Sequence, residues 1–172
     1  KSKGEKEVLR KNELGFIIRI ASVYSKYGRN FVKTMIKLLL AEEEVKVISD
    51  QKISVTSAYD TANNIPYLIE LYKKNIKEIT NSRIIHFTNK GYTTWFRVAK
   101  VIRDELMIND KKRSLAKIIP IKAHEWKSLA KRPLDSRLKV DFRSLEREDI
   151  VLPSWDEGVR SVVKEILQKG LY

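Results

Sequence analysis

Arg29 and Lys33 flank the first turn of a helical pattern that opens at Phe31, just after Gly28. A helix start exposes unpaired N–H groups and a partial positive charge, so basic neighbours there suit a phosphate. The same residues also fit an ordinary solvated connection between a strand and a helix. Cysteine is absent, which excludes disulfides and thiolate metal sites. His86 and His124 lack metal spacing with each other, so no metal site and no histidine catalysis is expected. No Gly-x-Gly-x-x-Gly and no Gly-x-x-x-x-Gly-Lys-Ser/Thr occurs, and six unclustered glycines leave no room for one.

These residues need elements to hold them. The stretch FIIRIASVYSKYGRNFVKTM, residues 16–35, reads as a strand, a tyrosine-rich loop and a helix. In α/β proteins, ligands gather at the carboxyl ends of strands. Short β-branched runs predict strands at 16–20, 45–48, 84–87 and 118–121. Pro120 cannot donate to a ladder, which puts the last strand at an edge or strand end. Apolar residues at helical spacing predict helices at 31–43, about 60–74, 94–107 and about 123–130. Pro66 predicts a kink or a late start in the second of these. Asp60 reads as a helix cap rather than a ligand. The first residues, to about Lys11, also read as a helix. The clearest helix follows the Ser154/Glu157 capping-box pair and stops at Gly170. Strands alternating with helices mean an α/β fold with parallel pairing.

At 172 residues the chain is long enough for one domain with a real core. No apolar run is long enough for a membrane span, and the opening Lys-Ser-Lys-Gly-Glu is no signal peptide. A cytoplasmic location without a membrane partner is the simplest expectation. The net charge of +13 invites a nucleic-acid reading. The basic residues are spread along the chain, with only short clusters at Lys111-Lys112-Arg113 and Lys131-Arg132. No nucleic-acid partner is therefore expected, although a basic binding module stays as the weakest alternative. A basic surface equally attracts a doubly charged nucleotide.

Five blocks, in order, resemble one family. KSKGEKEVL opens the chain. RIASVYSKYGRNFVKTM, VISDQKISVTSAYD and IIHFTNKGYTTWFRVA follow it, and KRPLDSRLKVD with LPSWDEGV closes the series. Together they resemble the C-terminal portion of the dTDP-4-dehydrorhamnose reductase family, nucleotide-sugar reductases among the extended short-chain dehydrogenases. The resemblance covers essentially the whole chain. It implies an α/β fold, the C-terminal part of a Rossmann-type extended short-chain dehydrogenase: the remaining parallel strands plus the small substrate-binding lobe. Residues 1–172 would be a single substrate-binding portion, and the glycine-rich dinucleotide-binding half would lie outside this chain.

The implied chemistry is reduction of a dTDP-4-keto-sugar by NADPH (or NADH), in dTDP-rhamnose biosynthesis. The family carries a Tyr-x-x-x-Lys motif, whose lysine falls at Lys3 and whose tyrosine falls just before Lys1. That lysine holds the nicotinamide ribose and lowers the tyrosine's pKa, so that the tyrosine can act as proton donor. By this resemblance Lys3 is the catalytic lysine of the complete polypeptide, and this chain alone is inactive. Ala21, Ser22 and Val23 would pass near the nicotinamide. The family commonly has a tryptophan at Ser22, a residue that helps hold the sugar. Asn30, Gln51 and Thr56 are implied substrate contacts beside Ser22, while Phe31 reads as core packing. Arg132 would take the diphosphate, or else pair with a carboxylate such as Asp135. The family usually has glycine at Ile53, so the backbone there is expected to differ. Trp95 and Trp155 read as core.

Two further expectations follow. A homodimer is possible. One branch of the same superfamily serves as a non-catalytic β subunit of methionine adenosyltransferase, and a regulatory protein of that kind is the alternative reading.

Overall fold

Helix α1 (Ser2–Lys11) leads into strand β1 (Ile17–Arg19), a turn and strand β2 (Val23–Tyr24). Helix α2 (Phe31–Ala41) and strand β3 (Glu44–Ile48) follow, then strands β4 (Lys52–Ile53) and β5 (Thr56–Ser57) and helix α3 (Ala58–Lys74). Next come β6 (Ile84–His86), β7 (Thr93–Thr94), α4 (Trp95–Asn109) and β8 (Lys117–Ile121). A 3-10 turn (Ala123–Glu125), β9 (Asp135–Ser136) and α5 (Trp155–Gln168) complete the order. This is a computed structural model that describes residues 2–13, 15–74, 83–110, 114–127, 132–140, 150 and 152–171. The basic cluster Lys111-Lys112-Arg113, Lys131 and residues 128–130 of the expected fourth helix lie outside the described residues.

Among the described residues the strands form four small sheets. β1 pairs with β6, β2 with β5 and β3 with β8, all parallel. β4 lies between antiparallel β7 and parallel β9. The parallel pairing expected from strand–helix alternation is present. Pro120 stands opposite Val47 in β8, which has only β3 as a neighbour among the described strands, so the missing N–H faces an edge.

Alternation on β3 buries Val45 and Val47 against α2 and α4. Ile36 and Leu39 of α2, Ile102 and Leu106 of α4, and Val163 and Ile166 of α5 fill the main core. A smaller cluster joins Leu68 of α3 to Ile85 and Phe87 around β6, with Ile150 and Leu152.

The helix ends follow local chemistry. Asn30 Oδ1 accepts from Lys33 N at 3.3 Å at the start of α2. Thr94 Oγ1 accepts from Arg97 N at 3.2 Å at the start of α4. Ser154 N donates to Glu157 Oε2 at 2.9 Å, the capping box at the start of α5. Gly170, at φ +60°, ends α5 while Leu171 N reaches back to Ile166 O at 3.0 Å.

Three expectations need correction. α3 starts early, at Ala58, and runs through Pro66 to Lys74. Packing of Leu68 and Tyr72 in the interior outweighs the single donor that proline lacks. Asp60 is not the cap: Ser57 Oγ accepts from Asp60 N at 3.1 Å, and the Asp60 carboxylate accepts from Asn89 Nδ2 at 2.8 Å. The expected helix from Ala123 begins as one 3-10 turn, closed by i+3 bonds from Glu125 N to Lys122 O at 3.0 Å and Trp126 N to Ala123 O at 3.3 Å, with Asp50 Oδ1 accepting the Ala123 N–H at 2.9 Å.

Candidate functional site

Two places gather the residues singled out by sequence. The first lies at the carboxyl end of β1. There Ser22 has φ +45°, the one non-glycine among the described residues with a left-handed backbone. Such strain persists only where the surroundings hold it, and it clusters at functional sites. Thr56 is what holds it. Its buried hydroxyl donates to Ala21 O at 2.7 Å and accepts from Ala21 N at 3.1 Å. Thr56 N also donates to Ser22 O at 3.4 Å, and β2 and β5 pair Val23 with Thr56. Ala21, Ser22, Val23 and Thr56 therefore form one unit. The Thr56 hydroxyl is engaged with the backbone of the turn. Ile20 and Val23 flank the turn, both half-exposed.

Beneath this turn sits a buried polar hub. Asn89 Oδ1 accepts from Ser57 N at 2.8 Å and from the Tyr24 hydroxyl at 3.3 Å. Burial first, and then the Asp60 charge, push the Tyr24 phenol far above its usual pKa, so it remains a donor. A Cβ on Gly158 would stand 2.3 Å from the Tyr24 hydroxyl oxygen. Only glycine permits that approach.

The second place is a cavity of about 760 Å³ at the carboxyl end of β3. Gln51 and Arg132 both line it. Arg132 is exposed and pairs with no carboxylate among the described residues. Asp135, the alternative partner, is instead forked by Arg137 at 2.8 and 2.5 Å. That contact holds the Asp135 carboxyl at about 2, and Arg137 also lies over the Tyr92 ring at 4.9 Å. Phe31, Trp95, Trp126 and His124 also form the cavity wall. Phe31 and Trp95 touch the core as expected and present their rings to the cavity as well, with centroids 4.6 Å apart. His124 and Trp126 were not singled out for this site. Nothing at their own positions signals it, since the Asp50–Ala123 bond brings that segment in from far along the chain.

Asn30 sits next to the cavity in sequence, yet its amide builds the loop. Nδ2 donates to Ser25 O at 2.7 Å and Tyr27 O at 3.2 Å. Lys26 ties the same loop to α5 through an ion pair with Glu165. Lys3 is exposed on α1, away from any recorded partner among the described residues. Arg19 of β1 holds that helix, donating to both Glu5 carboxylate oxygens at 3.0 and 2.7 Å. Ile53 is a buried strand residue without positive φ.

A family model described as the RmlD substrate binding domain matches residues 1–168. The chain belongs to the RmlD substrate-binding domain family. The domain is 33% identical over 174 residues to a dTDP-4-dehydrorhamnose reductase of Sinorhizobium fredii, covering 99% of this chain and 56% of that protein. Among solved structures, it matches the Bacillus anthracis dTDP-4-dehydrorhamnose reductase in complex with NADP. There the TM-score is 0.74 at 30% identity, covering 95% of this chain and 52% of that one. A Clostridium acetobutylicum dTDP-4-dehydrorhamnose reductase gives a TM-score of 0.73 at 32% identity, covering 97% and 54%. The RmlD domain thus spans about half the length of the relatives it matches. The fold is the α/β arrangement of the C-terminal part of Rossmann-type extended short-chain dehydrogenases. No helix among the described residues is long and apolar enough to cross a membrane.

Proposed function

We propose that this chain is the substrate-binding portion of an NADPH-dependent dTDP-4-dehydrorhamnose reductase. The observation that carries the reading is the match along essentially the whole chain to reductases of that name, one of them in complex with NADP. The residues fit the cofactor. The strained Ser22 turn closes the carboxyl end of a parallel strand pair, and Ile20 and Val23 offer an apolar flank for a nicotinamide ring. When bound, NADPH supplies the hydride. Ala21, Ser22 and Val23 line the ring's position, and Thr56 keeps that backbone in place. Lys3 holds the ribose and lowers the pKa of the proton-donating tyrosine in the family's Tyr-x-x-x-Lys motif. Gln51 and Arg132 hold the nucleotide, and Asn30 shapes the loop before it. Ser22, small where the family has tryptophan, leaves more room beside the sugar. A cytoplasmic enzyme fits this chemistry.

The full-length polypeptide that carries this chain is expected to oxidise NADPH when given dTDP-4-dehydrorhamnose. A folded protein that leaves NADPH unoxidised with that substrate would remove the reading.

A further inference from the structure

His86 is held by both of its ring nitrogens. Nδ1 stands 2.9 Å from Lys139 O, and Nε2 stands 3.4 Å from Arg19 Nη1. A carbonyl oxygen only accepts, and a guanidinium only donates. The neutral ring must therefore carry its proton on Nδ1 and keep a bare lone pair on Nε2. Both contacts select the same tautomer. Strand pairing puts the ring there: β1 and β6 run parallel with Arg19 opposite His86, and Phe87 N donates to Arg19 O at 2.9 Å.

Each contact leads to a different part of the site. On one side, Arg19 Nε and Nη2 donate to Glu5 Oε1 and Oε2 at 3.0 and 2.7 Å. Glu5 lies on α1, which buries no residue and carries Lys3. A part-exposed ion pair is a weak anchor by itself, because two long side chains can swing together. His86 fixes the guanidinium from a strand. On the other side, Lys139 follows β9 in the segment that brings Arg132 to the cavity. Other ties of that segment run to β4 and its flank: Lys52 N donates to Leu134 O at 2.7 Å, and Leu138 N donates to Ser54 Oγ at 3.1 Å. His86 ties it instead to the β1–β6 pair. We propose that His86 is a positioning residue: as its Nδ1–H tautomer it steadies Arg19, and so α1 with Lys3, and also holds the 132–140 segment with Arg132. The roles of Lys3 and Arg132 in this proposal rest on the reductase reading.

The test replaces the ring, in the full-length polypeptide, by amides that keep one contact each. His86→Gln sets a carbonyl oxygen near the place of Nε2 and loses the donor to Lys139. His86→Asn sets an N–H near the place of Nδ1 and loses the acceptor for Arg19. Loss of one such hydrogen bond is worth about threefold to tenfold. His86→Asn is therefore expected to lower kcat for dTDP-4-dehydrorhamnose by that factor, with KM changed less, and to speed hydrogen exchange in α1. His86→Gln is expected to raise KM by that factor, with kcat changed less, and to speed exchange at residues 135–140. A merely structural histidine would move all four quantities together in both variants, and that pattern would overturn the inference. So would nitrogen NMR of the wild type that finds the ring proton on Nε2 at about pH 8, where an ordinary histidine is neutral. The tautomer measurement stands even if a variant does not fold. Split exchange without NADPH oxidation supports the His86 coupling and removes only the proposed reaction. A working reductase that shows no split removes only the inference.

Discussion

Thr56 and Gly158 act at the scale of single atoms. The Thr56 hydroxyl satisfies both backbone groups of Ala21, so its removal frees a turn that is strained at Ser22. Thr56→Val is expected to cost about 1–3 kcal/mol of stability and, in the full-length polypeptide, to lower kcat/KM of the proposed reduction by about tenfold or more. Thr56→Ser keeps the hydroxyl and should recover most of both, as thermal melts and steady-state rates would report. At Gly158 the conflict is steric. Gly158→Ala places a methyl 2.3 Å from the Tyr24 hydroxyl oxygen, inside a closed core. A loss of about 1–3 kcal/mol is expected from overpacking. Tyr24→Phe removes the obstructing oxygen, and Asn89 Oδ1 still accepts from Ser57 N. The double variant should therefore be more stable than the two single losses add up to, a coupling that denaturant titration measures.

Helix α1 buries no residue, so what fixes it is polar. Arg19 grips Glu5 from β1, and Arg83 gathers carbonyls at the helix's end, with Leu9, Asn12 and Glu13 accepting. The Arg19 hydrogen bonds hold the Glu5 carboxyl below its ordinary value of 4.5. A depressed folded pKa contributes stability that is present above the unfolded value and is lost as pH falls through the folded one. Docking of α1 should therefore be constant above about pH 4.5 and weaken below it. Hydrogen exchange in α1 would show this as faster exchange in acid than the intrinsic rate explains. Glu5→Gln should make α1 exchange fast at every pH, with no step on acidification. Equal protection in both proteins would show that the Glu5–Arg19 contact does not anchor the helix.

Across the whole molecule, charge and apolar surface set behaviour. The net charge is +13, and Lys46 and Arg132 line the cavity while no carboxylate among the described residues does. An anionic ligand is steered to a basic surface, and the steering fades as salt shortens the Debye length to about 10 Å at 0.1 M. For the proposed reduction by the full-length polypeptide, kcat/KM should fall as ionic strength rises, while kcat at saturation changes little; a flat salt profile would show that the field plays no part. The apolar surface is also uneven. Tyr59, Ile65, Tyr67 and Ile69 of α3 stand exposed, although the same helix holds fully buried Leu68. Sedimentation of the 172-residue chain by itself is expected to reveal self-association, and a clean monomer with a cooperative melt would contradict that.

Period and capping were enough to place what is local. The apolar spacing of α2, α4 and α5 settles their existence, and Ser154 and Gly170 settle the ends of α5, because a cap bonds within a few residues of itself. The five ordered blocks likewise carried the family. Two-residue strands such as β4, β5 and β9 were not legible, since nothing but a distant partner makes them strands. The same limit applies at the candidate site. Asp60 has the residue type of a cap, but only a tertiary neighbour, Asn89, decided where its carboxylate goes. Sequence marked Gln51 and Arg132 separately. Folding placed them on one cavity and brought Asp135 to Arg137 instead of Arg132. Hydrogen-bond partners are a matter of where the chain returns, and pattern along the chain cannot express that.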